Sequence, residues 1–195
     1  LLRRCHRVRR GEWVLLHAAA GGVGLIALQW AATLGARVIA VVGSDQKAAL
    51  VRAHGAAEAI VSSRENIAER VRTVTRGRGV PVVYDGVGKD TFVASLDSLA
   101  PLGLMVSYGN ASGAVPPVAP LELTRRGSLF LTRPTLFPYA AKAPALARGA
   151  RELFAVVASG QVKVRIGREY ALAGAAEAHR DLEARRTTGS LLLVP

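Results

Sequence analysis

Apolar residues fall along this chain in short blocks separated by glycine, proline and charge, and the blocks alternate between strand length and helical spacing. Trp13 to His17 (WVLLH) predicts a buried strand, and Ala18 to Gly24 (AAAGGVG) follows it directly. From about Val23 to Leu34 a helical pattern sets Leu25, Leu28, Ala31 and Ala32 on one face, and Gly35 stops it. Arg37 to Val42 (RVIAVV) predicts a second strand, apolar enough to be buried on both faces. The alternation continues with a helix near Gln46 to Ala53, a strand near Ala59 to Val61, a helix from about Glu65 to Val74 and a strand Val80 to Tyr84. A helix from about Asp90 to Leu99 and strands Gly103 to Ser107 and Ser128 to Thr132 complete the series. Repeated strand and helix implies an α/β fold, a doubly wound parallel sheet with right-handed crossovers and helices on both faces.

The pattern changes after Arg133. Pro134, Pro138 and Pro144 punctuate a loop, Ala145 to Ser159 predicts a helix ended by Gly160, and Val162 to Ile166 and Leu191 to Val194 predict short strands flanking a helix near Ala175 to Glu183. Two short strands and two amphipathic helices make no core alone, so this tail has to pack on something else. Gly109 to Pro120 is a Gly/Pro-rich loop long enough to line a site.

Composition narrows the function classes. Half of the 195 residues are apolar and 21% are charged, the profile of an ordered globular chain. One cysteine, Cys5, leaves no disulfide framework or Cys-rich zinc site and points to a reducing cytoplasm. Leu1 to Arg10 is cationic and runs into Gly11 and Glu12, unlike a signal peptide, and no apolar run approaches the ~18 residues of a membrane span. The net charge of +12 favours anionic partners, be they nucleic acid, a membrane surface or a phosphorylated small molecule, and charge alone does not choose among them. Aromatic residues are 5% of the chain and do not interleave with the arginine clusters, which disfavours base stacking.

The chemistry concentrates at Ala19-Ala20-Gly21-Gly22-Val23-Gly24, a dinucleotide fingerprint with alanine at its first glycine position. Its place between a predicted strand and a predicted helix is the confirming context: a glycine there lets the backbone approach a pyrophosphate, and the helix start offers free N–H groups. Cofactor type is read at the tip of the second strand, where an NAD-binding chain places an acid on the ribose 2′-hydroxyl. Gly43 and Ser44 occupy that tip, Lys47 follows, and Asp45 falls where a helix N-cap role explains it. The residues therefore favour NADP(H) over NAD. His6, His17, His54 and His179 are too scattered for a ligand set, Asp85 suits a backbone cap better than a general base, and no Ser/His/Asp constellation accompanies a supporting motif.

HAAAGGVG, then VVYDGVGKDTF (Val82 to Phe92), GLMVSYGNASGAV (Gly103 to Val115), GSLFLTRPTL (Gly127 to Leu136) and the ending AHRDLEARRTTGSLLLVP make the chain resemble NADPH-dependent quinone oxidoreductases. These form the zeta-crystallin-like, zinc-free branch of the medium-chain dehydrogenase/reductase superfamily. The resemblance implies an NADP-binding Rossmann domain over 1–133 and a returning α+β part of the catalytic domain over 134–195. It implies that Gly21, Gly22, Val23 and Gly24 hold the pyrophosphate, Ser44 and Lys47 the 2′-phosphate, and Tyr108, Gly109 and Asn110 border the nicotinamide and its ribose. Arg185 would reach back to the cofactor, and no catalytic residue is assigned. Ser62 departs from the family pattern, which has a tyrosine beside the adenosine phosphate.

The family begins with a GroES-like, β-rich domain that these residues do not include, so the alternatives are a fragment of a longer reductase and a truncated relative. The first reading implies hydride transfer to a quinone or related conjugated carbonyl, with a homodimer formed through the Ser128 to Thr132 strand. The rival is a non-catalytic NADP-binding module whose charge meets nucleic acid. The enoyl-reductase domain of a polyketide synthase shares HAAAGGVG and matches the later segments less well.

Overall fold

The computed structural model describes all 195 residues, Leu1 to Pro195. Strands β1 (Trp13–Leu16), β2 (Arg37–Val42), β3 (Glu58–Val61), β4 (Val80–Asp85), β5 (Leu99–Ser107) and β6 (Phe130–Thr132) form one parallel sheet in the order β3-β2-β1-β4-β5-β6. Helices α1 (Gly22–Thr33), α2 (Asp45–Ala53), α3 (Ile67–Val74), α4 (Phe92–Ser98) and α5 (Pro120–Arg125) connect them. Neighbouring residues of one strand enter different cores. Leu16 packs with Leu25 and Leu28 of α1 and Val51 of α2. Leu15 packs with Val71 of α3 and Leu96 of α4. Both faces are thus covered, which is why these strands read as unbroken apolar runs rather than as alternation. The fold is the Rossmann-type, doubly wound α/β architecture.

Strand order reverses between β1 and β4, and such a switch point opens a crevice at the carboxyl ends of the strands. Register fixes what faces that crevice. Leu16 of β1 is level with Ala40 of β2 and Tyr84 of β4, so His17, Asp85 and the fingerprint turn all emerge at one end of the sheet.

Beyond β6 lie α6 (Leu136–Ala140), α7 (Ala143–Ala158), β7 (Ile166–Ala171), a 3₁₀ turn at Leu172–Gly174, α8 (Ala175–Glu183) and β8 (Ser190–Val194). β7 and β8 pair in parallel as a separate two-stranded sheet. Helix α7 buries none of its residues, and Phe154, Leu172 and Leu182 are more than half exposed.

Several boundaries differ from the sequence pattern for identifiable reasons. The strand expected at Val162 begins at Ile166, because the backbone of Lys163 is taken by the buried Gln29 amide of α1: Lys163 N–H donates to Gln29 Oε1 and Gln29 Nε2 donates to Lys163 O, each at 3.0 Å. Helix α3 starts two residues later than expected, since Asn66 accepts from Glu69 N–H as its N-cap while Glu65 turns back to accept from Val61 N–H. Pro144 lies inside the first turn of α7 rather than before it, where a missing N–H costs nothing. Ser128, assigned to the sixth strand, has φ +58 and stands outside it. Helix α6 falls in a stretch read as loop, and α5, which the pattern did not assign, starts at Pro120, the last residue of the Gly/Pro-rich loop.

Candidate functional site

Helix α1 meets the sheet as closely as backbones allow. A Cβ on Gly24 would stand 2.2 Å from the Ala18 carbonyl oxygen, so only glycine lets the helix start against the end of β1. Ala18 itself takes φ +50 to make the turn. Gly21 is the N-cap, with no side-chain cap and no acidic residue in the first turn, so the opening N–H groups of Gly22, Val23 and Gly24 face no anion of the protein's own. Val23 is exposed there.

At the tip of β2 the structure corrects one expectation: Ser44, and not Asp45, caps α2, its Oγ accepting from Lys47 N–H at 3.4 Å. Asp45 occupies the first helical position and pairs outward with Arg64 at 2.5 Å. Ser62 hydrogen-bonds back to the Val42 carbonyl at the same end of the sheet. Lys47 Nζ donates to the Arg185 carbonyl at 2.5 Å. Burial first, then the neighbouring Arg185 charge, lower the Lys47 pKa below its ordinary value. Lys47 and Arg185 therefore meet, although Arg185 lies 138 residues further along, in the turn that follows α8.

The rim beyond β5 is held by β4. Tyr108 N–H donates to the Asp85 carbonyl at 2.8 Å, and a Cβ on Gly109 would lie 2.3 Å from the Gly86 carbonyl, so the two strand ends touch through glycine. Burial, with Asp85 adding to it, pushes the Tyr108 hydroxyl up to about 12. Asn110 is exposed on the loop that follows. Arg185 pairs with Asp90 at 3.3 Å, and Asp90 N–H donates to Ser112 Oγ, so Asp90 links the Lys47 end of the crevice to the Tyr108 end.

Beneath this rim lies a constellation that the sequence did not show. Asp85 is fully buried; its Oδ1 accepts from the N–H groups of Val87 and Gly88, and its Oδ2 accepts from Thr91 Oγ1 at 2.7 Å and Ser95 Oγ at 2.8 Å. Ser95 Oγ also lies 2.9 Å from His17 Nε2. A Ser, a His and an Asp are thus adjacent after all, but serine is the middle member and all three are sealed from solvent, so no hydroxyl is set up for attack. The proton order follows from valence. Ser95 gives its only proton to the carboxylate, so its oxygen accepts from His17, which must carry hydrogen on Nε2 and leave Nδ1 bare. His17 Nδ1 is indeed a buried atom without a partner.

Burial lowers the His17 pKa from its ordinary value, and the Asp85 charge offsets only part of that. The unfolded chain takes up this proton below pH ~6.5 while the folded chain resists, so the stabilisation is complete above that pH and is lost as pH falls from there toward the folded value. Urea midpoints of the native chain are expected to drop more between pH ~7.5 and ~5 than those of His17→Gln. Parallel profiles would show that His17 is not linked to folding.

The sequence pattern of the family described as zinc-binding dehydrogenase matches residues 22–143, from the start of α1 to the start of α7. The chain belongs to this dehydrogenase family. It is 53% identical over 195 residues to a quinone oxidoreductase of Pseudomonas aeruginosa, covering 100% of this chain and 60% of that protein. Two solved structures align over its full length: a Pseudomonas syringae quinone oxidoreductase (TM-score 0.96, 52% identity) and an Escherichia coli quinone oxidoreductase complexed with NADPH (TM-score 0.97, 47% identity), in each case covering 60% of the solved chain. The chain thus spans about three-fifths of the length of the quinone oxidoreductases it matches. Within the dehydrogenase fold of this chain, no three His, Cys, Asp or Glu side chains gather as a metal-ligand group. No helix is long and apolar enough to cross a membrane.

Proposed function

We propose that this chain is the cofactor-binding part of an NADPH-dependent reductase that passes hydride to a quinone or a related conjugated carbonyl, with its boundary between NADP-binding and returning segments near Arg133. The observation that carries the reading is the meeting of Lys47 and Arg185 beside Ser44 at the tip of β2, in the sheet whose neighbouring strand ends in the fingerprint turn. The donor set fits a dinucleotide. The uncapped start of α1 offers N–H groups to a pyrophosphate. Ser44, Lys47 and Arg185 offer a hydroxyl, an ammonium and a guanidinium to a 2′-phosphate. Of the acids around it, Asp45 is engaged by Arg64 and Asp90 pairs with Arg185 itself. Tyr108, Gly109 and Asn110 border the nicotinamide end, and the cofactor supplies the hydride while the chain supplies its position. No metal takes part among these residues in this reading, and the lone Cys5 suits a reducing cytoplasm.

NADPH is expected to bind more tightly than NADH in calorimetric titration. Lys47→Glu should cost NADPH about 1.5–3 kcal/mol, the loss of a charge-assisted hydrogen bond, which is roughly 10- to 150-fold in Kd. Equal affinities for the two cofactors would sink the reading.

The reading includes a homodimer. β6 is an edge strand of the six-stranded sheet, and it presents Phe130 and Leu131 with no proline or charge within it to block pairing. Light scattering at micromolar concentration is expected to give twice the mass of the chain, and Leu131→Pro to give the single mass. A native chain that scatters as a monomer would remove the dimer.

A further inference from the structure

We propose that Asp181 and Arg186, which belong to neither the fingerprint nor the Lys47–Arg185 contact, determine the preference for a 2′-phosphorylated cofactor by fixing the turn that carries Arg185; this rests on the reading that Lys47 and Arg185 hold the 2′-phosphate. Asp181, on α8, is 8% exposed, and every lone-pair direction of its carboxylate is used. Oδ1 accepts from Arg186 Nε at 3.0 Å and Arg186 Nη2 at 2.7 Å. Oδ2 accepts from Tyr170 Oη at 2.9 Å and Arg168 Nη1 at 3.0 Å, both on β7. The hydrogen bond from Tyr170 and then those from Arg186 hold the carboxyl below its ordinary range despite burial.

Arg186 is tied to the same residue twice, because its N–H also donates to the Asp181 carbonyl at 3.0 Å as the helix ends. Between the two lies Arg185, at φ +58. A helix commonly ends on such a left-handed residue, but the residue chosen is usually glycine. An arginine there keeps its unfavourable backbone only because its surroundings hold it. On one side Arg185 N–H donates to Leu182 O and Arg186 is clamped to Asp181. On the other, Gly189 N–H donates to Ala20 O and Gly189 bridges Gly21. Residues 185–189 are therefore stretched between the clamp and the fingerprint. In that posture the Arg185 carbonyl takes the Lys47 ammonium, and the Arg185 guanidinium reaches Asp90 across the crevice. Release of the clamp frees the turn, and with it both cations, while the N–H groups at the start of α1 stay where the sheet puts them.

Positioning at one end of the cofactor predicts a selective loss. Asp181→Asn puts an amide N–H against donors on one side, and Arg186→Gln removes the fork from the other. Each is expected to raise the NADPH Kd of the 195-residue chain by about 10-fold while leaving the NADH Kd within about twofold, because NADH lacks the phosphate. Lys47→Ala is the control for the phosphate site and should lower the NADPH-to-NADH preference at least as far. If Lys47→Ala leaves the preference unaltered, the 2′-phosphate is held elsewhere and both readings fall. If Lys47→Ala lowers it but Asp181→Asn and Arg186→Gln do not, or if those two weaken both cofactors alike, the positioning role is overturned and the phosphate site stands. Should Asp181→Asn lose its folding transition, Arg186→Gln and its conservative partner Arg186→Lys decide, with partial rescue expected in the lysine variant.

Discussion

Asp85→Ala is expected to lower the stability of the chain by about 3–5 kcal/mol in urea titration, a large share of the 5–15 kcal/mol that holds a domain of this kind. The carboxylate collects two backbone N–H groups and two hydroxyls in a buried site, and truncation leaves all four donors to be satisfied elsewhere. Each orphaned buried donor costs about 1–3 kcal/mol, and relaxation recovers part of the sum. Asp85→Asn separates charge from shape. Its oxygen can keep the N–H groups of Val87 and Gly88, while its amide N–H groups point at Thr91 and Ser95. Ser95 must then accept from the amide and donate to His17, which moves the histidine proton from Nε2 to Nδ1. The expected cost is smaller, about 1–2 kcal/mol, and imidazole ¹⁵N shifts should report the change of tautomer. An Asp85→Ala chain as stable as the native one would show that the network carries no load.

Activity is expected to separate from binding by a wider margin. With NADPH and a benzoquinone, the 195 residues alone should turn over at least about 100-fold more slowly than the same residues joined to an N-terminal domain of the family's kind, since misplacing an acceptor by about an ångström already costs that much. Leu136, Phe137 and Phe154 are 73%, 83% and 67% exposed, and Leu182 beside the Asp181 clamp is 55% exposed. Large apolar side chains this exposed suit a surface that another part of the protein covers, and these segments are the ones the resemblance assigns to the catalytic domain. Saturable NADPH oxidation at the relatives' rate by the purified chain would overturn this.

The strand, glycine turn and helix at the switch point are legible for a local reason. Strand, glycine turn and helix are contiguous from Trp13 to Thr33, and β2 follows, so the fingerprint and the tip residues can be read from one stretch. The capping residue at that tip was misassigned by one position because Ser44 and Asp45 both favour N-caps, and only backbone geometry, with Ser44 extended and Asp45 helical, separates them. Helix α5 carries its own signals, Pro120 at the first position, Glu122 in the first turn and Arg125 in the last, but at six residues it is too short to show helical periodicity. The His17–Ser95–Asp85 chain had no local trace. It joins the end of β1, the end of β4 and the middle of α4, and becomes visible only when the register of a parallel sheet sets Leu16 level with Tyr84. Asp181 was similarly hidden, since an acid near arginines on a helix usually reads as a solvated ion pair.

The hydrogen bond from Gly189 to Ala20 joins the turn after α8 to the fingerprint turn, 169 residues earlier, and that has a consequence for the order of assembly. Closing a loop this long before the sheet exists carries a large entropic cost, so the contact is expected only after the intervening strands have paired. During synthesis the sheet from β1 to β6 can form while residues 185–189 are still unmade, so the start of α1 is in place before the turn that carries Arg185 is. In native-state hydrogen exchange the amide of Gly189 should therefore open well before those of β1 and β4. A dinucleotide that touches both ends would act as a staple across that seam, and slowed exchange at Gly189 would be its earliest signature.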